Sequence, residues 1–115
     1  MPEIHGRSSL DYQNRKELFM SQLPSSNALF VLGHIVATPG ALDLLDRQAT
    51  NALSLLARHM RGDWGEVPAE DALANWSALD YGLRVLSSYP LGTERIWIIT
   101  EADRRSTCLL LPDEY

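Results

Sequence analysis

The spacing of the apolar residues changes once along this chain, and that change constrains the fold more than any other feature. From position 41 onward, apolar residues recur at intervals of three and four, which is the spacing of one face of a helix. The stripe consists of Leu42, Leu45, Ala49, Leu53, Leu56 and Met60. It predicts a helix that breaks near Asn51 and stops at Gly62. Beyond position 82 the pattern is that of short strands.

A second amphipathic helix is predicted over residues 68–81. Acidic side chains fall in its first turn, where they interact favourably with the helix dipole, and Gly82 follows its last turn. Leu73, Trp76 and Leu79 recur every three residues along it. We therefore predict that these three side chains face the core.

Three short β-prone runs follow, at residues 83–89, 95–101 and 107–111, separated by turn-forming residues. They predict a three-stranded antiparallel meander. In the middle run both sets of alternating positions are apolar, so both faces of the sheet are apolar. One face should meet the helices. The other needs a cover, which the N-terminal arm, the connections of the first strand or a second subunit could provide, so a homodimer is one expectation.

The remaining segments complete a prediction of fold class. An apolar run at residues 30–37 leads into Thr38 and Pro39, a combination typical of a strand followed by a helix start. Residues 1–14 have no clear period, and residues 15–23 could form a short helix that ends before Pro24. Together, residues 1–29 are predicted to be a partly flexible N-terminal extension. Residues 30–115 then form a single α+β domain, with one strand, two amphipathic helices and the meander, the helices packed on one face of the sheet.

Composition narrows the class of protein. The chain has 115 residues, 45% of them apolar and 22% charged, which is the balance of one globular domain. Its net charge of -5 disfavours binding to nucleic acid. The sequence has no apolar run long enough to cross a bilayer and no secretory h-region near its N-terminus, so we expect a cytoplasmic protein without a membrane partner.

Cysteine and histidine content limits metal and redox chemistry. Cys108 is the only cysteine and lies in an apolar run, which predicts a small core residue and excludes a disulfide within the chain. His5, His34 and His59 are spaced too widely for a local metal motif. We therefore expect neither a metal site nor a cofactor.

Four motifs cover about the last three quarters of the chain: IVATPGAL (35–42), GDWGE (62–66), WIITEADR (97–104) and LLLPDEY (109–115). With these motifs the sequence resembles an uncharacterised family of small bacterial proteins, described as plasmid-related and carried on plasmids and integrated elements. The resemblance implies a setting on a mobile genetic element. It implies no biochemical activity.

One polar group suggests an enzyme. Glu101 follows a strand and Arg104 lies in the next turn, while a histidine elsewhere, His59 or His34, could complete the group. A metal-independent ribonuclease or a ribosome-dependent toxin uses such parts: the carboxylate takes the 2′-hydroxyl proton, arginine neutralises the phosphate and histidine protonates the leaving oxygen. The alternative is structural, with Asp103 shaping the turn and Glu101 paired with Arg95 or Arg105.

Other residues suggest a binding module. Trp64 stands between two glycines beside Asp63, so it is either a plug over the core, which we favour, or a binding anchor. The acidic segment that ends at Tyr115 is either a docked tail or a peptide for a partner. With Asp103 and Arg104, these are the candidate partner-binding residues. We favour a non-enzymatic protein-binding module that inhibits or modulates a host defence or nucleic-acid-processing complex, with the ribonuclease as the alternative.

Overall fold

The computed structural model describes residues 28–115, so the predicted N-terminal extension lies outside the described residues except for its last two positions. The fold is α+β, with one strand followed by three helices and then by three strands. In chain order they are β1 (His34–Ala37), α1 (Pro39–Arg47), α2 (Ala52–Met60), α3 (Ala69–Tyr81), β2 (Val85–Leu91), β3 (Glu94–Thr100), β4 (Ser106–Leu110) and a 3-10 turn (Pro112–Glu114). No helix within residues 28–115 has the length and apolar content needed to cross a membrane.

The four strands form one mixed sheet in the order β1-β4-β3-β2. The β2–β3 and β3–β4 pairs are antiparallel, which is the predicted meander. The strand β1 pairs parallel with β4, from His34 opposite Ser106 to Ala37 opposite Leu109. The prediction is therefore incomplete rather than wrong. A parallel neighbour distant in sequence leaves no local signal, whereas turn residues mark a meander.

The predicted break near Asn51 divides the first helical stripe into two separate helices. Thr38 caps α1, accepting a hydrogen bond from Ala41 N–H at 3.1 Å. Asn51 caps α2, accepting one from Leu53 N–H at 2.9 Å. A capping side chain satisfies amide groups that have no partner within the helix, so Asn51 starts a new helix instead of continuing the first. The described chain thus has three helices where two were predicted.

One face of the sheet and the first two helices form the main core. The sheet contributes Tyr89, Ile96, Ile98 and Leu109, and the helices contribute Ala41, Leu44, Leu45, Leu55, Leu56, Ala57 and Met60. All are nearly or fully buried. Burial of a large aliphatic side chain stabilises a fold by about 1.5–3 kcal/mol, so this layer holds α1 and α2 against the sheet.

The structure confirms the predicted helix at α3, but the prediction that Leu73 and Trp76 face the core is wrong. Leu73 is 69% exposed and Trp76 is 47% exposed, and Leu79 is only partly buried. The buried residues of this helix are Asn75 and Ala78. The helix therefore turns a small and a polar side chain inward.

The reason is that α3 packs along the edge of β2. Asn75 donates a side-chain hydrogen bond to the Leu86 carbonyl at 2.7 Å and accepts one from Leu86 N–H at 3.0 Å. Further along the same edge, Ser88 N–H donates to the Trp64 carbonyl at 2.9 Å, and Glu66 N–H donates to the Ser88 carbonyl at 2.7 Å. An edge strand needs partners for its outward main-chain groups, so a polar side chain is required on the inner face of α3.

The second face of the sheet is partly covered by the C-terminal residues. The 3-10 turn contacts β3, and the Tyr115 ring meets the Trp97 ring edge-on at 5.7 Å. Val36 on this face remains 42% exposed. Cys108 also lies on it and is only half-buried, so the prediction of a core cysteine is wrong. A residue within an apolar run reaches the core only if its strand position turns inward.

Candidate functional site

Hydroxyl groups hold the His59 imidazole inside the fold. Its Nδ1 lies 2.6 Å from Ser87 Oγ, and its Nε2 lies 2.9 Å from Thr100 Oγ1. Thr100 Oγ1 is 2.8 Å from Thr107 Oγ1, which donates to the Leu32 carbonyl at 2.7 Å. The His59, Ser87, Thr100 and Thr107 residues are all fully buried. They form a continuous chain of hydrogen bonds across the core.

The Leu32 carbonyl, at one end of this row of hydrogen bonds, determines the position of every proton in the row. A carbonyl oxygen only accepts, so Thr107 must use its proton on Leu32 and then accepts from Thr100. Thr100 has therefore spent its own proton and accepts from Nε2–H of His59. The imidazole is neutral with its proton on Nε2, and Nδ1 accepts from Ser87. Each hydroxyl and both ring nitrogens are thereby satisfied within the core.

Burial, and after it the positive charge of Arg104, lower the pKa of His59 to about 3. An imidazole with this pKa is neutral at physiological pH. A ribonuclease would need it as a protonated group in contact with RNA. A fully buried, neutral ring does not fit that role. His34, the other candidate, lies exposed in β1.

Arg104 binds main-chain carbonyls around the end of α3. Its Nη1 donates to the Leu83 carbonyl at 2.6 Å and to the Glu101 carbonyl at 3.0 Å. Its Nη2 donates to the Ala78 carbonyl at 3.0 Å, and its guanidinium lies 5.5 Å from the centre of the Phe30 ring. The side chain ties α3 to the β3–β4 turn. The N–H groups of Arg104 are used in hydrogen bonds within the fold. This use does not favour the predicted role of neutralising a phosphate.

Glu101 forms an ion pair that the sequence prediction did not name. Its Oε1 lies 3.3 Å from Arg84 Nε, and both side chains are about half exposed. The predicted partners were Arg95 and Arg105; Arg95 instead binds Glu66 at 3.0 Å. Of the features expected of a catalytic base, Glu101 shows only an exposed carboxylate next to one guanidinium.

Asp103 shapes the turn that follows. Its Oδ1 accepts a hydrogen bond from Arg105 N–H at 3.0 Å, and Arg104 N–H donates to the Glu101 carbonyl at 2.9 Å. The structural alternative predicted this role for Asp103. Its carboxylate is exposed, but part of its hydrogen-bonding capacity is already used within the loop.

The loop at residues 62–66 places Trp64 in the interior. The ring is 5% exposed and lies 6.4 Å from Phe30, 6.1 Å from His59 and 5.3 Å from Trp76, measured between ring centres. Trp64 Nε1 has no hydrogen-bond partner among residues 28–115. This arrangement is the predicted plug, and a buried ring cannot serve as the first contact of a partner.

Asp63 stabilises the same loop from outside. It pairs with Arg58 at 2.6 Å and accepts a hydrogen bond from Gly65 N–H at 3.2 Å. The Tyr89 hydroxyl donates to the Asp63 carbonyl at 2.6 Å. The hydrogen bonds from Arg58 lower the pKa of Asp63. This residue therefore has a loop-forming role, as a short carboxylate commonly does in a turn.

The segment ending at Tyr115 is docked on the fold. Glu114 accepts hydrogen bonds from the Thr38 hydroxyl at 2.6 Å and from Leu111 N–H at 2.8 Å. These bonds lower the pKa of Glu114. Tyr115 packs on Trp97, as described above, and its hydroxyl accepts a hydrogen bond from the Arg84 guanidinium. Of the two predicted alternatives, the geometry is that of a docked tail.

Four of the seven arginines within residues 28–115 form ion pairs. The ion pairs are Arg47 with Asp43 and Glu94, Arg58 with Asp63, Arg84 with Glu101, and Arg95 with Glu66. A surface that binds nucleic acid must instead present its cations to phosphates. No cluster of three or more histidine, cysteine or acidic side chains that could hold a metal occurs within residues 28–115.

Sequence reasoning missed an apolar surface that we call the α3 outer surface and define by Leu29, Leu73 and Trp76. Leu29 is 45% exposed, and the two helical side chains are exposed to the extents given above. Leu29 and Trp76 meet over Gly62, where an added Cβ would lie 3.2 Å from the leucine and 2.6 Å from the tryptophan. Leu73 is adjacent to Trp76 because residues three apart share a helix face.

The buried hydroxyls were also missed, although the sequence holds a signal for them. Ser87 lies two residues from both Val85 and Tyr89, and Thr100 lies two residues from Ile98. Residues two apart in a strand share a face, so each polar residue points inward with its apolar neighbours. Polar residues at inward positions require buried partners. Finding His59 as that partner needs the tertiary structure.

Comparison with known proteins adds no relative: no family model, no curated protein and no solved structure matches the chain. The resemblance to plasmid-related proteins therefore stays a prediction.

Proposed function

We propose that this chain is a non-enzymatic protein-binding module whose partner docks on the α3 outer surface. The observation that carries the proposal is the exposure of Leu73 and Trp76 side by side, next to Leu29. Single exposed apolar residues are ordinary on a protein surface. An adjacent group that includes a tryptophan is typical of an interaction site, because a large ring loses much water-exposed area at little cost in conformational entropy.

The positions of His59 and Arg104 support a binding module over the alternative enzyme. The His59 imidazole is enclosed in the core, and the guanidinium of Arg104 binds main-chain carbonyls. Two of the three parts of the ribonuclease prediction thus maintain the fold, while the Leu73 side chain of α3 is mostly exposed to solvent. The biological setting in this proposal is a mobile genetic element, and the partner belongs to a host defence or nucleic-acid-processing complex that binding inhibits or modulates.

The test compares two matched leucine variants of the full chain. Leu73→Glu changes the α3 outer surface, and Leu42→Glu changes a leucine that is 57% exposed on α1. The free energy of unfolding of each variant should lie within about 0.5 kcal/mol of that of the unmodified protein, since neither side chain is buried. Tagged proteins are used to capture partners from a nuclease-treated bacterial lysate, with quantitative mass spectrometry. We expect a protein that is retained by the unmodified chain and by Leu42→Glu but lost with Leu73→Glu. Equal recovery with both variants would refute the proposal.

The ribonuclease is tested with the same preparations. We expect no cleavage of a labelled RNA by the purified protein or in the presence of ribosomes. Cleavage that disappears in Glu101→Gln without a change in melting temperature would establish the enzyme instead. The variant is a fair probe because the Glu101–Arg84 pair is exposed, and exposed pairs contribute little to stability.

A further inference from the structure

We infer that the occupant of the α3 outer surface is an amphipathic helix of another protein, with an apolar stripe flanked by lysine and arginine. This inference rests on the proposed function and adds the chemistry of the partner. Its basis is the arrangement of charge around Leu73 and Trp76, together with the kind of contact that a helix face offers.

The exposed face of α3 is apolar along its middle and acidic beside it. Successive residues are separated by 100°, so Glu70, Leu73 and Asp80 lie within about 40° of the direction opposite Asn75. Trp76 lies beside them, about 100° from Asn75. Glu70 and Asp80 are exposed, and neither forms a salt bridge with any residue in the described part of the chain. The helix itself contains no lysine or arginine.

Several other carboxylates on the surface are neutralised within the chain. The carboxylates of Asp43, Glu66 and Glu94 each pair with an arginine of the same chain. Arg61 lies next to Gly62, and its positive charge acts on Asp63, whose pKa it lowers. The carboxylates of α3 are therefore the charges around the apolar group that a partner's cations can complement.

The same charges argue against other occupants. If α3 packed antiparallel on a second copy of itself, Glu70 would approach Asp80 of that copy, and like charges in an interface are destabilising. Phosphates of nucleic acids and anionic lipids would be repelled in the same way. The main chain of α3 is occupied by its own hydrogen bonds, and the neighbouring β2 edge is filled by Asn75 and the loop at 62–66. The surface thus offers side-chain packing, which suits a helix better than an added strand.

The probe is a synthetic amphipathic helical peptide of about 18 residues, long enough to form a helix on the surface. Leucines form its stripe, and lysines and arginines flank it. The matched control peptide has glutamate in place of every lysine and arginine. Binding to the full chain is measured by calorimetry at low and high salt. We expect the basic peptide to bind about tenfold tighter than the acidic one at low salt, and this ratio to fall at high salt.

Variants separate the inference from the function on which it rests. Glu70→Gln combined with Asp80→Asn should weaken the basic peptide about threefold to tenfold and leave the acidic peptide no weaker. Leu73→Ser should weaken both peptides, and Leu42→Ser should weaken neither. If the two peptides bind equally but Leu73→Ser weakens both, the inference about charge is wrong and the surface stands. If Leu73→Ser changes nothing, both fail. A dimer seen by light scattering and lost in Leu73→Ser would make a second copy the occupant and overturn the inference.

Discussion

Acidification to about pH 5 should destabilise this fold through one residue, His59. In the folded chain its pKa is about 3, against an ordinary value of 6.5. Below pH 6.5 the unfolded chain therefore binds a proton that the folded chain does not. Stability rises with pH wherever the unfolded state binds more protons, so stability is lost as the pH falls from 6.5 towards 3.

The magnitude follows from the width of that window. Each pH unit below 6.5 costs about 1.4 kcal/mol in the free energy of unfolding, so about 2 kcal/mol is lost at pH 5 relative to pH 8. The carboxyl groups with lowered pKa values, Asp63 and Glu114, act in the same direction but only at lower pH. Between pH 8 and 5 their contribution is small.

The assay is urea unfolding of the unmodified chain and of His59→Gln at about pH 8 and 5. The glutamine amide can donate to Thr100 and accept from Ser87, so it replaces the hydrogen bonds without a titrating ring. The difference in unfolding free energy between the two proteins should shrink by about 2 kcal/mol on acidification, since all other titrating groups cancel. A constant difference would refute the reasoning.

A spectroscopic measurement tests the same point without a variant. Nitrogen chemical shifts of the His59 ring in the folded protein should show the Nε2–H tautomer, which the carbonyl of Leu32 imposes through Thr107 and Thr100. They should remain unchanged down to about pH 4, one unit above the folded pKa. A ring that titrates near its ordinary pKa would contradict the buried network even if the glutamine variant failed to fold.

The remaining predictions concern the edge of β2 and its loop. Asn75→Leu leaves two main-chain groups of that edge unpaired and should lower the free energy of unfolding by about 2 kcal/mol or more. The control Ser77→Ala changes an exposed residue of the same helix and should alter that free energy by less than about 0.5 kcal/mol. Equal effects of the two variants in urea unfolding would show that Asn75 does not stabilise the edge. Gly65 and Gly82 have similar positive φ angles of 73° and 66°, but a Cβ at Gly65 would collide with the Ser88 carbonyl and one at Gly82 meets nothing within 4 Å. Gly82→Ala should therefore cost only about 1–2 kcal/mol for the backbone conformation, and Gly65→Ala clearly more; similar melting temperatures for the two variants would contradict this packing.

The sequence predicted those parts of the fold that local signals determine. Residues 92 and 93 provide a turn between β-prone runs, and the strands on either side lie within two residues of their predicted bounds. Thr38 and Asn51 mark helix starts by the chemistry of their side chains. The parallel pairing of β1 with β4 has no such mark, because it joins segments about seventy positions apart in the chain.

The candidate site was only partly predictable for a different reason. The prediction named Glu101, Arg104 and His59 as chemically capable side chains, and the structure does bring the charge of Arg104 close enough to act on the His59 ring. Residue type alone does not tell whether a polar group meets solvent or another buried group. Here Ser87 and Thr100 occupy both ring nitrogens, so the histidine stabilises the core.

The misprediction of α3 has the same origin, and it connects the fold to the proposed function. Helical periodicity predicts which residues share a face, but it does not say which face is buried when the partner is a strand edge instead of an apolar sheet face. The edge of β2 requires a donor and an acceptor, and Asn75 supplies both. Once Asn75 is turned inward, the helix geometry places Leu73 outward. The exposed apolar group is thus fixed by the hydrogen bonds of the opposite face, and it is held in a defined position before any partner arrives, which lowers the entropy cost of binding there.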